Sequence, residues 1–402
     1  MVCRGLSADR RSGARTAGPS PWRNLMRALA RVLPALIGSA ALIGTAFTAG
    51  TVTSATNAPA ADDPAVPINR ATPTKLMPIG DSNTAGGDAP GASYRVDLFQ
   101  MLQADNRPVD FVGSVTSGPT VVGDRNHEGH GGWTLGQIQG GVVGWLNTYT
   151  PDVITLQIGT NDMYDDASAG AAPGKLSALI DTITTTLPNV RVFVSAIPQL
   201  ANADHYSRVA AFNYTIPGIV AAKVAAGKKV DYLDANSGLF HPYDFVDMWH
   251  PNYGAASKAA VRWYAALTGQ QVTRFEAEQS ANASISGAPT KRTQITSASG
   301  GAKIGYIDNP DSFVKFSFEV GTTGNYRIRA RGANGMNATC THKVSANGGP
   351  QQIVSYPSYS WDLFAISKVD LPLTAGKNTV TFMKGDCYTE LDAIDISLVP
   401  TA

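Results

Sequence analysis

Thr74-Lys75-Leu76-Met77-Pro78-Ile79-Gly80-Asp81-Ser82-Asn83 is the stretch on which the reading of the fold turns. A short apolar run ends at Gly-Asp-Ser, the pattern of a buried strand that delivers a loop. Similar strand-like runs recur at 109–115, 153–158, 190–197 and 230–233. Helices are expected between them at 94–102, 134–147, 176–187 and 208–226, the last kinked by Pro217, and after the fifth strand at 254–267. Residues 117–132 are glycine-rich and polar and read as loop. Alternating strands and helices, with the strands continuously apolar, predict a three-layer, flavodoxin-like parallel sheet with helices on both faces. Loops beyond the carboxyl ends of such strands carry the chemistry. Ser82 and Asn161 each fall just past a strand, and Asp247 and His250 follow the fifth strand after a longer loop.

Past residue 268 the pattern changes. Phe313-Val314-Lys315-Phe316-Ser317-Phe318-Glu319-Val320, Tyr326-Arg327-Ile328-Arg329-Ala330 and Thr379-Val380-Thr381-Phe382 alternate in polarity between Gly and Asn turns. That predicts an all-β sandwich of jelly-roll type. The expected organisation is a leader at 1–60, a flexible segment at 61–71, an α/β domain at 72–267, a linker at 268–273 and the sandwich at 274–400. The linker has no Pro/Ser spacer, so the two domains are expected to sit close.

The apolar run 32–52 follows Arg23, Arg27 and Arg31 and precedes Ala58-Pro59-Ala60. This predicts a cleaved signal and a secreted, extracellular protein; a membrane anchor is the competing reading, since about 20 apolar residues can span a bilayer. Met26, followed by Arg-Ala-Leu-Ala-Arg, would make an ordinary signal start. Residues 1–60 hold seven arginines and one acid, so the remainder carries 25 bases against 30 acids. That balance argues against nucleic acid or stable membrane association. Of three cysteines, Cys3 lies in the leader, and Cys340 and Cys387 remain. An even pair in an exported protein predicts one disulfide, with two buried thiols as the alternative. A monomer is expected.

Asp247-Met248-Trp249-His250 places a carboxylate three residues before an imidazole, and in a turn such positions point the same way. Asp247 can then accept from one ring nitrogen of His250, which leaves the other free to activate a serine. Gly80-Asp81-Ser82, Gly131-Gly132-Trp133, Gly159-Thr160-Asn161-Asp162 and Asp247-Met248-Trp249-His250 together resemble the four blocks of the SGNH (GDSL-type) hydrolases over about residues 72–267. The run from His127 to Thr134 is similar to carbohydrate esterase family 3, known for acetyl xylan esterases. The resemblance implies a triad of Ser82, His250 and Asp247. It implies an oxyanion hole from the Ser82 and Gly132 amides and the Asn161 side chain, and no cofactor for catalysis. Asp81 and Asp162 are expected to fix loop backbone. Gly-x-Ser-x-Gly is absent, so the α/β-hydrolase elbow does not apply. His127 and His130 flank Glu128 but lack a third ligand.

Phe275-Glu276-Ala277-Glu278-Gln279, Gly305-Tyr306-Ile307-Asp308 and Leu391-Asp392-Ala393-Ile394-Asp395-Ile396 resemble carbohydrate-binding modules of families 6 and 35. Glu276 and Glu278 alternate on a strand and so face one side. With Asp392 or Asp395 opposite, they would suit a structural Ca²⁺; an exposed acidic face is the alternative. Tyr306, Trp361 and Tyr388 are candidate sugar platforms, with core packing the competing reading. The expected function is a secreted serine esterase that deacetylates a plant polysaccharide such as xylan. Its rivals are a lipolytic or aryl esterase of the same superfamily and a catalytically inactive carbohydrate-binding protein.

Overall fold

The computed structural model describes residues 67–86, 93–199, 203–239, 243–287 and 289–400. The leader expected at 1–60, with its apolar run, lies outside them. Among the described residues no helix is long and apolar enough to cross a membrane.

The first sheet is built from β1 (Thr74–Gly80), β2 (Val109–Phe111), β3 (Val115–Thr116), β4 (Asn126–Gly129), β5 (Val153–Gln157), β6 (Arg191–Ser195) and β7 (Val230–Leu233). β1 pairs in parallel with β2 and β4 on one side and with β5 on the other, and β6 and β7 follow β5 in parallel. Strand order therefore reverses between β1 and β5, and a cleft forms at the carboxyl ends there. Two expectations are corrected. The run 109–115 is two strands, because Gly113, at φ +153°, turns the chain. Its absent side chain leaves room for the His127 backbone. The segment 117–132 is not all loop, since Asn126–Gly129 adds a strand to β1. Its polar side chains are satisfied internally, so the apolar signal of a strand is missing there.

Helices α1 (Ser82–Ala85), α2 (Tyr94–Ala104), α3 (Leu135–Tyr149), α4 (Asp166–Thr186), α5 (Ala203–Ala225) and α6 (Tyr253–Thr268) cover the sheet. α3 to α5 enclose a core of Met77, Ile79, Leu156, Leu176, Val194 and Phe212, while α2 and α6 pack Leu98, Met101, Trp263 and Leu267 against other strand residues. α5 starts five residues before the expected 208 and runs through Pro217.

The C-terminal strands are all antiparallel. β8 (Thr273–Glu276), β10 (Thr290–Thr293), β11 (Ala302–Gly305), β13 (Gly324–Ala333), β16 (Phe364–Leu373) and β18 (Glu390–Leu398) form one sheet. β9 (Ala283–Ser286), β12 (Phe313–Val320), β14 (Cys340–Ala346), β15 (Gln352–Tyr356) and β17 (Gly376–Lys384) form the other. Phe316, Ile328, Val344, Val380, Phe382 and Ile394 fill the space between the sheets. Cys340 and Cys387 are disulfide-bonded, with Cα atoms 5.1 Å apart.

Candidate active site

β1 ends at Gly80, where a side chain would sit 2.2 Å from the Gln157 carbonyl, so only glycine lets β1 and β5 approach this closely. Asp81 caps the short helix α1 by accepting from the Asn83 amide at 2.9 Å. Burial pushes its carboxyl above the usual range, against that bond and contacts from Thr160. Ser82 is the first residue of α1 and stands at the sheet's carboxyl edge.

His250 reaches Ser82 from the loop before α6. Its Nε2 lies 3.0 Å from Ser82 Oγ, and its Nδ1 lies 2.7 Å from Asp247 Oδ2. Asp247 Oδ1 accepts from the amides of Trp249 and His250 at 2.7 and 2.8 Å. Partial burial acts to raise the Asp247 carboxyl, but the His250 ring and these two amides outweigh it and hold the group below the ordinary carboxylate value. Asp247 is therefore ionised at neutral pH and orients the imidazole. Behind this turn, Asn252 caps α6 through the Ala255 amide at 2.9 Å, and Phe245 bridges to Pro251.

The other two blocks are tied together. Asn161, in the 3-10 turn Thr160–Tyr164, donates Nδ2–H to the Trp133 carbonyl at 2.9 Å. That bond sets the Asn161 amide beside the Gly131–Gly132 turn. The same turn is anchored to β1 by the His130 amide, which donates to the Gly80 carbonyl at 2.9 Å. Asp162, fully buried, accepts from the Leu135 amide at 2.8 Å and from Lys175, and so joins the Asn161 loop to the start of α3. Ser82, Gly132, Asn161 and His250 thus come from four segments that meet at one edge.

Two aromatic groups flank this edge. His130 is stacked between Trp133 and Trp145, with ring centroids at 4.2 and 4.9 Å, and its Nε2 pairs with buried Glu128 at 2.9 Å. His127 is used differently. Its Nε2 meets Ser117 Oγ at 2.7 Å, its Nδ1 accepts from the Gly129 amide, and burial lowers its pKa to about 3. On the opposite flank Trp249 stacks on Tyr164 at 4.7 Å and packs against His205. Tyr164 keeps 56% of its surface exposed. The sequence reading missed Tyr164, which carries no periodic signal and is placed only by the turn that also holds Asn161.

In the sandwich the acidic set is only partly assembled. Asp395 is removed from it, because Arg274 takes both its oxygens at 2.7 Å. Asp392 accepts from Arg331 at 2.6 Å and from Ser299. Glu276 accepts from the Ser299 hydroxyl, while buried Glu278 Oε2 has no partner and the carboxylate crowds the Gly300 backbone. Burial, then the neighbouring carboxylate, raises Glu276 to about 7 and Glu278 to about 8. Among the described residues no group of three or more His, Cys, Asp or Glu side chains is placed to hold a metal ion. Tyr306 and Tyr388 are exposed and stand at neighbouring ends of β11 and β18, where Ile304 pairs Leu391. The Trp361 carbonyl accepts from Lys303 of β11. The Trp361 side chain is half-buried, packed on the cluster that includes Ala298, Phe364 and Tyr253, and lies on the Gly335 backbone.

Residues 79–256 match the model of the GDSL-like lipase/acylhydrolase family. A multidomain esterase of Ruminococcus flavefaciens is 31% identical over 221 residues, which cover 48% of this chain and 28% of that protein. The chain therefore spans little more than a quarter of that relative's length. A family 3 carbohydrate esterase of Clostridium thermocellum is 37% identical, covering 48% of this chain and 95% of that one, with a TM-score of 0.44. A family 35 carbohydrate-binding module from the same organism is 26% identical over 31% of this chain and 98% of that one, with a TM-score of 0.29. With Ser82 at the end of β1, and Gly132, Asn161 and His250 converging on the same edge, the α/β part of this chain is a GDSL-like lipase/acylhydrolase domain.

Proposed function

We propose that this protein is a secreted serine esterase that removes acetyl groups from acetylated xylan through an acyl-enzyme. The observation that carries the reading is the relay from Ser82 Oγ to His250 Nε2, and from His250 Nδ1 to Asp247, at 3.0 and 2.7 Å. A serine hydroxyl attacks an ester only when a base removes its proton. His250 takes that proton as Oγ bonds to the carbonyl carbon. The carbonyl oxygen becomes an oxyanion, received by the Ser82 and Gly132 amides and the Asn161 amide group. Collapse breaks the bond to the sugar oxygen, which leaves with the proton from His250. Water, deprotonated by His250, then attacks the acetyl-serine; the bond to Ser82 Oγ breaks, Oγ takes the proton back from His250, and acetate is released. The Asp247 carboxylate stabilises the imidazolium in both halves.

The exposed Tyr164 ring, backed by Trp249, supports a sugar rather than an acyl chain beside the nucleophile, since a flat aromatic face suits a pyranose ring. Tyr306 and Tyr388 support polysaccharide binding by the sandwich. A Ca²⁺ held by Glu276 and Glu278 would give a partner to the orphaned Glu278 oxygen and relieve the repulsion between the two carboxylates. Initial rates on acetylated xylan and on aryl esters of graded chain length test the reading. Acetyl should exceed butyryl and longer chains. Octanoyl esters turning over faster than acetyl would move the assignment to a lipolytic or aryl esterase. No hydrolysis of any ester would leave a carbohydrate-binding protein.

A further inference from the structure

β13 alternates Tyr326, Ile328 and Ala330 into the sandwich core with Arg327, Arg329 and Arg331 on the opposite face. Those arginines are buried; Arg331 and Arg327 pair with Asp392 and Asp370 of the sandwich, and all three also reach carboxylates on α2 or at its C-cap in the acylhydrolase domain. Arg331 Nε donates to Asp97 at 2.8 Å, Arg329 Nε donates to Asp105 at 2.9 Å, and Arg327 pairs with Asp105 at 3.3 Å. Between those aspartates, Gln100 donates to the Phe364 carbonyl at 3.1 Å and accepts from the Ile366 amide at 3.0 Å. α2 thereby covers β16, the end strand of its sheet. A buried guanidinium needs a carboxylate, and a buried strand edge needs partners for its backbone. Arg329 finds its carboxylate in the other domain, Arg331 and Arg327 divide theirs between the two domains, and Gln100 satisfies two backbone groups of β16.

The contact also reaches both halves of the triad. At the start of α6, four residues after His250, the Gly254 amide donates to the Thr296 carbonyl at 3.1 Å. A side chain on Gly254 would stand 2.0 Å from the Ala298 carbonyl oxygen. Neighbouring Tyr253 donates its hydroxyl to Asp97 at 2.7 Å, and the Arg331 guanidinium lies over its ring. On the serine side, the first turn of α2 carries buried Arg95, whose Nε donates to the Thr84 carbonyl at 2.8 Å and whose Nη2 donates to the Ala85 carbonyl at 2.9 Å. Ser93 donates to the same Thr84 carbonyl at 2.8 Å. The turn that carries Ser82 therefore hangs from α2, the loop that carries His250 runs into α6, and the sandwich grips both helices.

From this geometry we infer that the sandwich is a structural half of the catalytic unit, and that Arg331 and the Thr296–Ala298 loop are positioning elements that set the Ser82–His250 distance. This rests on the esterase reading for its consequence in turnover but not for the coupling itself. Calorimetry of the intact chain should show one cooperative transition; two separate transitions would overturn the proposal. Gly254→Ala, a change that favours an isolated helix, should here split or broaden that transition. With Arg331→Lys, which keeps the charge but not the fork, the enzyme should remain folded by circular dichroism at 25 °C. Misplacement of a reacting group by about 1 Å costs up to roughly 100-fold. Both variants should therefore lose about 10- to 100-fold in kcat on p-nitrophenyl acetate, a substrate too small to need sugar binding, with KM changed less than about twofold. Reaction of Ser82 with a fluorophosphonate should slow in parallel. Wild-type kcat in both folded variants would reject the positioning role. An inactive wild-type chain would instead sink the proposed function and leave calorimetry to decide the coupling.

Discussion

In the proposed mechanism Ser82, His250 and Asp247 act as one unit, because a serine without its base is no nucleophile. Ser82→Ala should abolish ester hydrolysis while circular dichroism and the melting temperature stay near wild type; near-native turnover in that variant would refute the mechanism. Asn161 gives a more discriminating test. Its amide is held by the Trp133 carbonyl and so stays oriented in the free enzyme. If it stabilises the oxyanion, Asn161→Ala should lower kcat by about 10²–10³, the usual effect of losing one such donor. A change confined to KM would make it a substrate-binding residue. The sequence placed Ser82 and Asn161 just past strand ends and Asp247 three residues before His250, as the structure has them. Their other partners were not legible there, since Asn161 and Trp133 are 28 residues apart and meet only when β4 and β5 flank β1.

Single carboxylates decide how elements join. Asp162 satisfies the first amide of α3 from a loop 27 residues away. Asp162→Ala would leave that buried donor unpaired, while the more exposed Lys175 turns to solvent, and a buried hydrogen-bonding group left so costs about 1–3 kcal/mol. Urea unfolding should report a loss of that size, and an unchanged midpoint would show that water replaces the carboxylate. At the end of β8 the sign is different, and Glu278, expected on the same strand as Glu276, lies in the turn that follows it. Glu276 and Glu278 are raised from 4.5 to about 7 and about 8, so the folded state holds protons that the unfolded chain has already released. Their contribution to stability is complete below about pH 4.5 and is lost as pH rises through 7 to 8. In chelator, the melting temperature of the wild type should fall over that window more than that of Glu278→Gln. If Glu276 and Glu278 hold calcium as proposed, adding it should restore the wild type preferentially, since an ion that binds only the folded state stabilises it. Parallel curves for the two proteins, with or without calcium, would reject the site.

At the scale of the molecule, the two domains share buried charge. Asp105 accepts from Arg329 and from Tyr264, and although burial acts to raise its carboxyl, the Arg329 and Arg327 guanidinium groups hold it below the ordinary value. Arg329→Met would leave Asp105 buried beside a weaker set of partners. Removing one member of such a pair typically costs about 3–5 kcal/mol. Chemical denaturation should therefore report a loss of that order for the full chain; a change below about 1 kcal/mol would mean that Arg327 and Tyr264 suffice. For the same reason a sandwich cut away from α2 would carry three arginines with no carboxylate from that helix, and an acylhydrolase domain cut at the linker would bury or expose Asp97 and Asp105 without their guanidinium partners.

The sequence by itself determined the classes of both domains and the order of the site blocks, because strand and helix periods and the glycines that permit close approach are local properties. It also placed Asp247 against His250, since three residues in one turn leave little freedom. What tertiary structure alone decided was which charges are paired and which faces are covered. Arg327, Arg329 and Arg331 alternate with apolar residues, as a solvated strand face would, and nothing near them in sequence marks them as buried. Asp97 and Asp105 lie 234 and 224 residues from Arg331 and Arg329. Arg274 likewise removed Asp395 from the acidic set across 121 residues. Polarity is written in the residue, but burial is a property of what the rest of the chain brings against it.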